Sequence, residues 1–363
     1  MRVRETSDVH VWSLVMPVEA AAASLNTIGT PWLWAATILG LLGLLAVDFV
    51  ITRRPHAVSM REAIGWTVFY LALPIAFGFF VWARFGGTPA AEFFTGYVVE
   101  KSLSVDNLFV FMLLLAAFAV PAQLAQRVLL YGIVGALVLR AIFIALGAAV
   151  LQTGTWAFVL FGAILLITAV KVMRDAVRGG EHEIDIDQMR SVRLLRRFMP
   201  VTQEYHGSRL TVIRDGARTL TPMALVVAAV FMTDIVFAVD SVPAVYGVTE
   251  DPYLVFATNA FALLGLRALY FVLHNALSSL RYLNHGLALI LAFIGVKLVL
   301  HWAHGVWPAL PEVPTLLSLG IIIGVLVIVT LASIAANRRD ARALAAAAPD
   351  EQSETRSPAE TNH

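Results

Sequence analysis

The chain has 363 residues, of which 59% are hydrophobic and 14% are charged. The charged fraction is about half that of soluble domains, and a mean hydropathy of +0.78 excludes water as the main solvent of this protein. The net charge of +1 gives no reason to expect a nucleic-acid partner, and the absence of cysteine excludes disulfides, thiol nucleophiles and thiolate metal sites.

Apolar stretches recur along the chain and are long enough to cross about 30 Å of hydrocarbon. We therefore predict an all-α polytopic membrane protein over residues 31–336, with about nine transmembrane helices. Residues 1–30 are expected to form a weakly ordered external leader, and residues 337–363 a disordered cytoplasmic tail. The predicted spans are Trp32–Ile51, Ala63–Trp82, Phe93–Val120, Val128–Val150, Trp156–Met173, Pro222–Val245, Tyr253–His274, Leu287–Trp302 and Leu316–Ala336.

The connections between spans differ in charge. Arginine recurs after spans one, three, five, seven and nine, whereas the alternate connections are nearly neutral or acidic, as at Glu250 and Asp251. Because cytoplasmic loops are enriched in arginine and lysine, the N-terminus is predicted to lie outside the cell and the C-terminus in the cytoplasm.

One connection, residues 174–221, is much longer than the others and mixes both signs of charge. Its stretch from Tyr205 to Gly216 is typical of a small hairpin at the membrane surface. Its arginines are expected to meet anionic headgroups of the lipid bilayer. A regulatory role, with a membrane or cytoplasmic protein as partner, is the other interpretation.

Two acidic motifs repeat inside the apolar stretches. Span three contains EKSLSVDN, from Glu100 to Asn107, and span six contains DIVFAVDS, from Asp234 to Ser241. Each motif begins with an acid and, after five further residues, has a second acid that is followed by Asn or Ser. The repetition indicates that the two spans have the same role.

An arginine and then a lysine follow each motif at matching places. Residues 93–173 and 222–302 are therefore interpreted as two copies of one three-helix unit, and because three is odd, the copies must be inverted relative to each other. This is the inverted-repeat plan of secondary transporters, which bind substrate near the membrane midplane. The matching bases, which we predict to be supporting charge partners of the acids, are Arg140, Lys171, Arg267 and Lys297.

Acids at mid-membrane depth each cost about 2.5–3.5 kcal/mol. Pairing with the four bases would offset this cost and join helices, which is one explanation. Pairing does not explain the neutral oxygen donors that follow the second acids, whereas ligation of a cation does. The candidate metal ligands are Glu100, Asp106, Asn107, Asp234, Asp240 and Ser241.

The spacing within each motif decides which side chains share a helix face. Six residues turn an ideal helix through about 600°, which leaves the two acids of a motif roughly 120° apart. Residues seven apart do share a face, so Glu100 with Asn107, and Asp234 with Ser241, are the predicted pairs. Pro243 is expected to loosen span six beside its second acid, Asp240, and to expose backbone carbonyls.

The ligand types indicate the class of ion. Carboxylate, amide and hydroxyl oxygens suit Mn²⁺, Ca²⁺ or Mg²⁺ better than Cu⁺ or Zn²⁺. Met112 and Met232 would add a soft sulfur that favours manganese, or else pack against lipid. Asn259 either binds the ion or hydrogen-bonds between helices. The residues by themselves leave Mn²⁺, Ca²⁺ or another divalent cation as the transported ion, and we expect no tightly bound cofactor.

At these motifs the sequence resembles the TerC/Alx family of integral membrane proteins, named for tellurium resistance. The resemblance rests on residues 100–107, 233–244 and 259–271. It implies a protein of the cytoplasmic (inner) membrane associated with manganese efflux and metal homeostasis and, in some members, with tellurite resistance or an alkaline-pH response. It also implies that the metal-handling acids are Glu100, Asp106, Asp234 and Asp240.

Together the motifs and the resemblance predict a transporter rather than an enzyme. It would export a divalent cation, most simply Mn²⁺, by alternating access of two inverted units around a mid-membrane carboxylate site. The alternative is a non-transporting scaffold or stress-response protein that acts through residues 174–221. The expected partners are the metal ion and the bilayer.

Overall fold

The computed structural model describes residues 27–51, 60–178, 192–193, 197, 200–202, 204–214, 217–266, 269–270 and 282–347. Within this part of the chain, helices of 13 residues or more account for nearly all of the regular structure, and one hairpin lies between the fifth and sixth of them. The elements are α1 Pro31–Ile51, α2 Met60–Phe85, α3 Gly87–Ala117, α4 Ala122–Gln152, α5 Trp156–Arg178, β1 Thr211–Arg214, β2 Ala217–Leu220, α6 Pro222–Tyr246, α7 Pro252–Leu264, α8 Leu283–Val306 and α9 Thr315–Ala347.

Most of these helices are long and apolar enough to span a bilayer. Among the described residues this holds for seven: α1, α2, α4, α5, α6, α8 and α9. Their outward faces carry exposed apolar side chains, such as Ile167 at 71% and Ile328 at 67% exposure, which suit lipid rather than water. The protein is therefore a multi-pass integral membrane protein. That α3, which carries an acidic motif, and α7, with 13 residues, also cross the membrane stays a prediction.

Local sequence accounts for several helix ends. Gly86 separates α2 from α3 with a φ of 94°, a left-handed conformation that glycine adopts without steric cost. The Asp251 carboxylate caps α7 by accepting a hydrogen bond from the Tyr253 N–H at 2.8 Å. The same carboxylate accepts bonds from Thr27 Oγ1 at 2.6 Å and from the Ile28 N–H at 2.7 Å. Asp251 thus ties the segment before α1 to the start of α7.

Two helices extend beyond their predicted limits. α6 continues without a break through Pro243 to Tyr246, so the predicted opening of this helix is wrong. The residues around Pro243 are buried, and packing against neighbouring helices maintains the helix despite the missing hydrogen bond. α9 continues to Ala347, so residues 337–347 belong to a helix rather than to the predicted disordered tail. Their alanines and arginines have high helix propensity.

The predicted hairpin is confirmed, although its strands lie slightly later in the chain. β1 and β2 are antiparallel, with Thr211 opposite Leu220 and Arg214 opposite Ala217. The Tyr205 hydroxyl donates to the Phe118 carbonyl at 2.8 Å, which holds the segment before the hairpin against the end of α3. The hairpin therefore lies at the end of the bundle where α6 begins.

The central helices pack in three pairs. α3 contacts α7, α4 contacts α6, and α5 contacts α8. On α4, Gly132 faces Val230 and Gly135 faces Phe231 of α6, so the absence of side chains lets these two helices approach closely. These contacts bring together the middles of α3, α4, α6 and α7, where the acidic motifs lie.

Candidate functional site

A buried arginine lies at the centre of the bundle. The side chain of Arg140, near the middle of α4, is only 1% exposed. Its Nη1 atom donates to the carboxylate of Glu100 and to Oδ1 of Asn259, the latter at 2.7 Å. Its Nη2 atom lies 3.6 Å from Oδ1 of Asp234. One guanidinium therefore joins α4 to α3, α6 and α7.

Two amide side chains complete the surroundings of this guanidinium. In the amide orientation that satisfies both of its polar atoms, Asn107 accepts a bond from Arg140 Nη2 at 3.2 Å and donates to the Leu103 carbonyl at 3.0 Å. Asn259 donates from Nδ2 to the Val255 carbonyl at 2.9 Å. Each amide is thus held by its own helix with its oxygen towards the guanidinium. We call this group the Arg140 cluster: Glu100, Asn107, Arg140, Asp234 and Asn259.

The Arg140 cluster lies at mid-depth of its helices. Asp234 is the central residue of α6, and Glu100 and Asn259 lie within two residues of the centres of α3 and α7. Both carboxylates are buried. Leaving one partner of a buried ion pair alone costs about 3–5 kcal/mol, so the guanidinium offsets a large part of the cost of placing these acids here.

The contacts with Arg140 use only some of the hydrogen-bond acceptor positions of the two carboxylates. Within the described residues, Oε2 of Glu100 and both oxygens of Asp234 have no hydrogen-bond partner, and neither do the buried hydroxyls of Ser104 and Ser241. Buried polar atoms are normally hydrogen-bonded, so these atoms have unused capacity to bind a further group. In the present arrangement of that part of the chain, no three histidine, aspartate or glutamate side chains are grouped to hold a metal ion. The guanidinium lies between the acids instead.

A cavity of about 760 Å³ opens at the end of the bundle where α6 and α8 end. His301 bridges two carboxylates there, with Nε2 3.4 Å from Glu250 and Nδ1 3.2 Å from Glu312. Glu92 accepts a hydrogen bond from Thr249 Oγ1 at 2.7 Å. We call this space the mouth cavity, and its charged and titratable lining residues include Glu92, Glu250, Asp251, Lys297, His301 and Glu312.

Comparison with known proteins identifies the family. Residues 85–341 match the profile of the Integral membrane protein TerC family. The chain belongs to the TerC family. The match begins just before α3 and reaches into α9, so it includes every residue of the Arg140 cluster. The resemblance inferred from the acidic motifs is confirmed.

Several curated relatives of this TerC-family chain are similar over most of their length. An uncharacterized membrane protein of Myxococcus xanthus is 40% identical over 275 residues, which cover 76% of this chain and 85% of the relative. One from Mycobacterium tuberculosis is 41% identical over 310 residues, covering 83% and 78%. The "Putative membrane-bound redox modulator Alx" of Salmonella typhi is 38% identical over 315 residues, covering 84% and 94%. No solved structure matches the chain.

The same-face pairs predicted from the motif spacing are found in the structure. Glu100 and Asn107 are both buried on α3 and both contact the guanidinium. Asp234 and Ser241 are both buried on α6, and Asp240 is half-buried. That any of these residues binds a metal stays a prediction for this TerC-family protein.

Two of the four predicted charge partners lie elsewhere. Lys171 has an exposed side chain on α5, and Lys297 lines the mouth cavity, so neither joins the Arg140 cluster. Arg140 takes the central place because α4 packs directly against α6, whereas the lysines lie on the α5–α8 pair. Arg267 lies outside the described residues, as does the side chain of Asp106.

The two methionines do not supply a sulfur ligand to the cluster. Met232 is 45% exposed on α6. Because each residue turns a helix by about 100°, a position two before Asp234 points roughly 200° away from it. Met112 is partly buried and packs against apolar side chains of α3, α4 and α6. The other interpretation of these methionines, packing rather than ligation, agrees with both positions.

Sequence reasoning missed other buried polar residues on α3. Tyr97 and Ser104 are buried, and their spacings of three and four from Glu100 put all three on one face. Lys101 was also missed, and its Nζ donates to the Ala262 carbonyl at 3.1 Å, which joins α3 to α7. The signal that could have found Tyr97 and Ser104 is the helical period of polar residues on either side of the acid.

Proposed function

We propose that this chain exports a divalent metal cation, with Mn²⁺ as the leading substrate. The observation that carries the proposal is the Arg140 cluster, in which two carboxylates and two amide oxygens from α3, α6 and α7 converge at mid-depth. Oxygens of these types are the ligands that hard divalent cations prefer. Acids at this depth are costly and are normally retained for a function.

We further propose that α3–α5 and α6–α8 are inverted copies of one unit. Helix packing supports this, because exchanging the copies converts the α3–α7 contact into the α6–α4 contact, and both contacts are present. The α5–α8 contact maps onto itself under the same exchange. Two units related in this way can rock against each other and expose a shared site first to one side of the membrane and then to the other.

We propose that the transported ion leaves the Arg140 cluster through the mouth cavity. Glu92 lines it and lies eight residues before Glu100 on α3, a rise of about 12 Å. The carboxylates that line the mouth cavity would attract a cation that leaves the Arg140 cluster. The positive-inside rule assigns this end to the outside, since the arginine-bearing hairpin lies at the other end of α6. The proposed direction is therefore outward across the cytoplasmic membrane.

The name of the Alx relatives refers to redox modulation. The present chain has no cysteine, so it has no thiol chemistry of its own. Control of a redox-active metal such as manganese offers an indirect route from transport to redox balance. We include metal homeostasis, and through it tellurite or alkaline-stress resistance, in the proposed role.

Efflux from manganese-loaded cells tests the proposal. Asp234→Asn and Glu100→Gln each remove a carboxylate ligand and are expected to slow Mn²⁺ efflux by roughly tenfold or more, the effect of losing about 1.4 kcal/mol of cation binding. Asp175→Asn is the matched control, because Asp175 is an exposed acid on α5. Its efflux should equal that of the wild type. Normal efflux by both site variants at wild-type protein levels would contradict the proposal.

The same variants separate transport from the alternative, a non-transporting scaffold or stress-response protein. The observation behind the alternative is a surface cavity beside the hairpin that is lined by Arg209, Arg214 and Arg218. A scaffold would keep its phenotype in Asp234→Asn and lose it when residues 200–221 are replaced by a neutral linker. A transporter gives the reverse result.

A further inference from the structure

The guanidinium of Arg140 lies between the oxygens that we propose as cation ligands. Its two terminal nitrogens use oxygens of Glu100, Asn107 and Asn259 and approach a carboxylate oxygen of Asp234. A guanidinium presents several donors in one plane and therefore satisfies oxygens from several directions, as a metal ion does. The oxygens that hold the arginine are thus the ones that the transported ion would bind.

We propose that Arg140 is a built-in competitor of the transported cation. Its guanidinium neutralises the ion-free site, and a divalent cation is bound fully only after the guanidinium has moved away from the acids. The inference rests on the proposed transport function and adds the element that sets the affinity of the site.

Repulsion between positive charges makes it unfavourable for the guanidinium and a divalent cation to occupy the site at the same time. A divalent cation between Glu100 and Asp234 would lie a few ångströms from the guanidinium, and repulsion between like charges is strong in an interior of low dielectric constant. Arginine cannot leave by losing a proton, because its guanidinium stays protonated in proteins. The side chain must therefore move for the ion to bind.

The unused atoms of the cluster provide a starting point for the exchange. Among the residues that the structure describes, Oε2 of Glu100 and both oxygens of Asp234 have no hydrogen-bond partner, although Oδ1 of Asp234 lies 3.6 Å from Arg140 Nη2 in an ion pair. An arriving ion can therefore bind first to Oε2 of Glu100 and Oδ2 of Asp234, which Arg140 does not contact. Nε of Arg140 also has no hydrogen-bond partner within the described part of the chain, so the described residues do not hold the guanidinium by hydrogen bonds on every side. A stepwise exchange avoids an intermediate with two unpaired buried carboxylates.

Loss of the Arg140 side chain has opposite effects on the affinity for the cation and on the rate of transport. Without Arg140, the carboxylates hold the ion more tightly, because no internal cation has to be displaced. The ion-free site then carries uncompensated buried charge, which slows release of the ion and return of the empty transporter. A variant that binds better and transports more slowly is the characteristic result of this arrangement.

The test uses the full chain, purified and reconstituted in lipid vesicles, with MnCl₂ as the probe. Arg140→Gln is expected to bind Mn²⁺ about tenfold more tightly than the wild type and to transport it about tenfold more slowly. Arg127→Gln is the matched control on the same helix, because Arg127 bonds to Ser208 near the hairpin, and both quantities should stay unchanged. Equal or weaker Mn²⁺ binding by the folded Arg140→Gln variant overturns the inference.

Added free guanidinium provides a second test. If the role of Arg140 were purely structural, free guanidinium would not change Mn²⁺ binding by a variant that lacks this side chain. Arg140→Ala vacates the space of the guanidinium, so millimolar guanidinium chloride is expected to weaken Mn²⁺ binding by this variant about tenfold, back towards the wild type. Sodium chloride at the same concentration should have no such effect, and the wild type should respond to neither salt. Mn²⁺ binding by Arg140→Ala that is insensitive to guanidinium overturns the inference.

A double variant covers the case in which loss of Arg140 alone prevents assembly. Glu100→Gln/Arg140→Gln removes both members of one charge pair, and we expect it to bind Mn²⁺ more tightly than Glu100→Gln alone. Equal or weaker binding overturns the inference. A wild-type chain that does not bind Mn²⁺ overturns the proposed function and the inference with it. A wild-type chain that binds, with unchanged affinity in the arginine variants, overturns the inference only.

Discussion

Asn259 shows how a single residue of the Arg140 cluster is positioned. Its amide nitrogen donates to the Val255 carbonyl one turn earlier on α7, at 2.9 Å, and its oxygen accepts from the guanidinium at 2.7 Å. Hydrogen bonds to charged groups contribute about 1.5–3 kcal/mol, roughly twice as much as neutral ones. Part of the stability of the bundle should therefore depend on this amide.

Replacement of Asn259 by leucine should destabilise the protein by about 2–3 kcal/mol, because the guanidinium loses an acceptor in a dry interior. Thermal unfolding of the detergent-solubilised protein measures the change. Thr258→Val is the matched control: Thr258 is buried on the same helix, and its hydroxyl donates to the same Val255 carbonyl at 2.9 Å. Its loss should cost only about 1 kcal/mol. Equal destabilisation by the two changes would mean that the bond to the guanidinium adds no stability.

At the scale of elements, α5 and α8 meet through glycine. A Cβ atom at Gly162 would lie 2.9 Å from the carbonyl oxygen of Gly295, and a Cβ at Gly295 would lie 3.1 Å from that of Gly162. A backbone oxygen cannot rotate away as a side chain can, so only glycine permits this approach. The α5–α8 contact is also one of those that map onto themselves under the proposed exchange of repeats.

Gly162→Ala should therefore force α5 away from α8 and destabilise the protein by about 1–3 kcal/mol, the usual cost of overpacking. Gly320→Ala on α9 is the control, because nothing lies within 4 Å of a Cβ at that position. Alanine there should be neutral or stabilising by up to about 1 kcal/mol, since it favours helix more than glycine does. Chemical unfolding in mixed micelles compares the two. If Gly162→Ala is as stable as Gly320→Ala, the close contact of α5 and α8 is not required.

The whole molecule has chemically different ends. Among the described residues, four carboxylates line the mouth cavity at one end. The cavity beside the hairpin, which lies at the other end, is lined by Arg209, Arg214 and Arg218. α6 connects the two ends directly, and its 25 residues rise about 37 Å, enough to cross the hydrocarbon layer. Such an asymmetry of charge is what orients a membrane protein.

Single introduced cysteines test this orientation. The chain has no cysteine of its own, so no other residue of the chain contributes background thiol labelling. Glu250→Cys, in the mouth cavity, should react with a membrane-impermeant maleimide in intact cells. Arg214→Cys, exposed on β1, should react only after the membrane has been permeabilised. The opposite pattern would reverse the proposed orientation and with it the direction assigned to the mouth cavity.

Much of the architecture could be predicted from the sequence, because hydropathy and helical period are local properties. The apolar stretches indicated the helices, and the spacing of seven residues put Glu100 with Asn107, and Asp234 with Ser241, on shared faces. The acidic motifs also identified the family. The prediction failed at Pro243, because the local effect of a proline was outweighed by the packing of its neighbours.

By itself, the sequence determined that this is a helical membrane protein of the TerC family with two acidic motifs inside its apolar stretches. Its apolar stretches contained several bases, and nothing local distinguished Arg140 from Lys171 or Lys297 as the partner of the acids. Only the tertiary structure decided that Arg140 meets both carboxylates and both amides. The physical reason is that pairing depends on which helices touch, and the close approach of α4 to α6 depends on contacts between residues far apart in the chain.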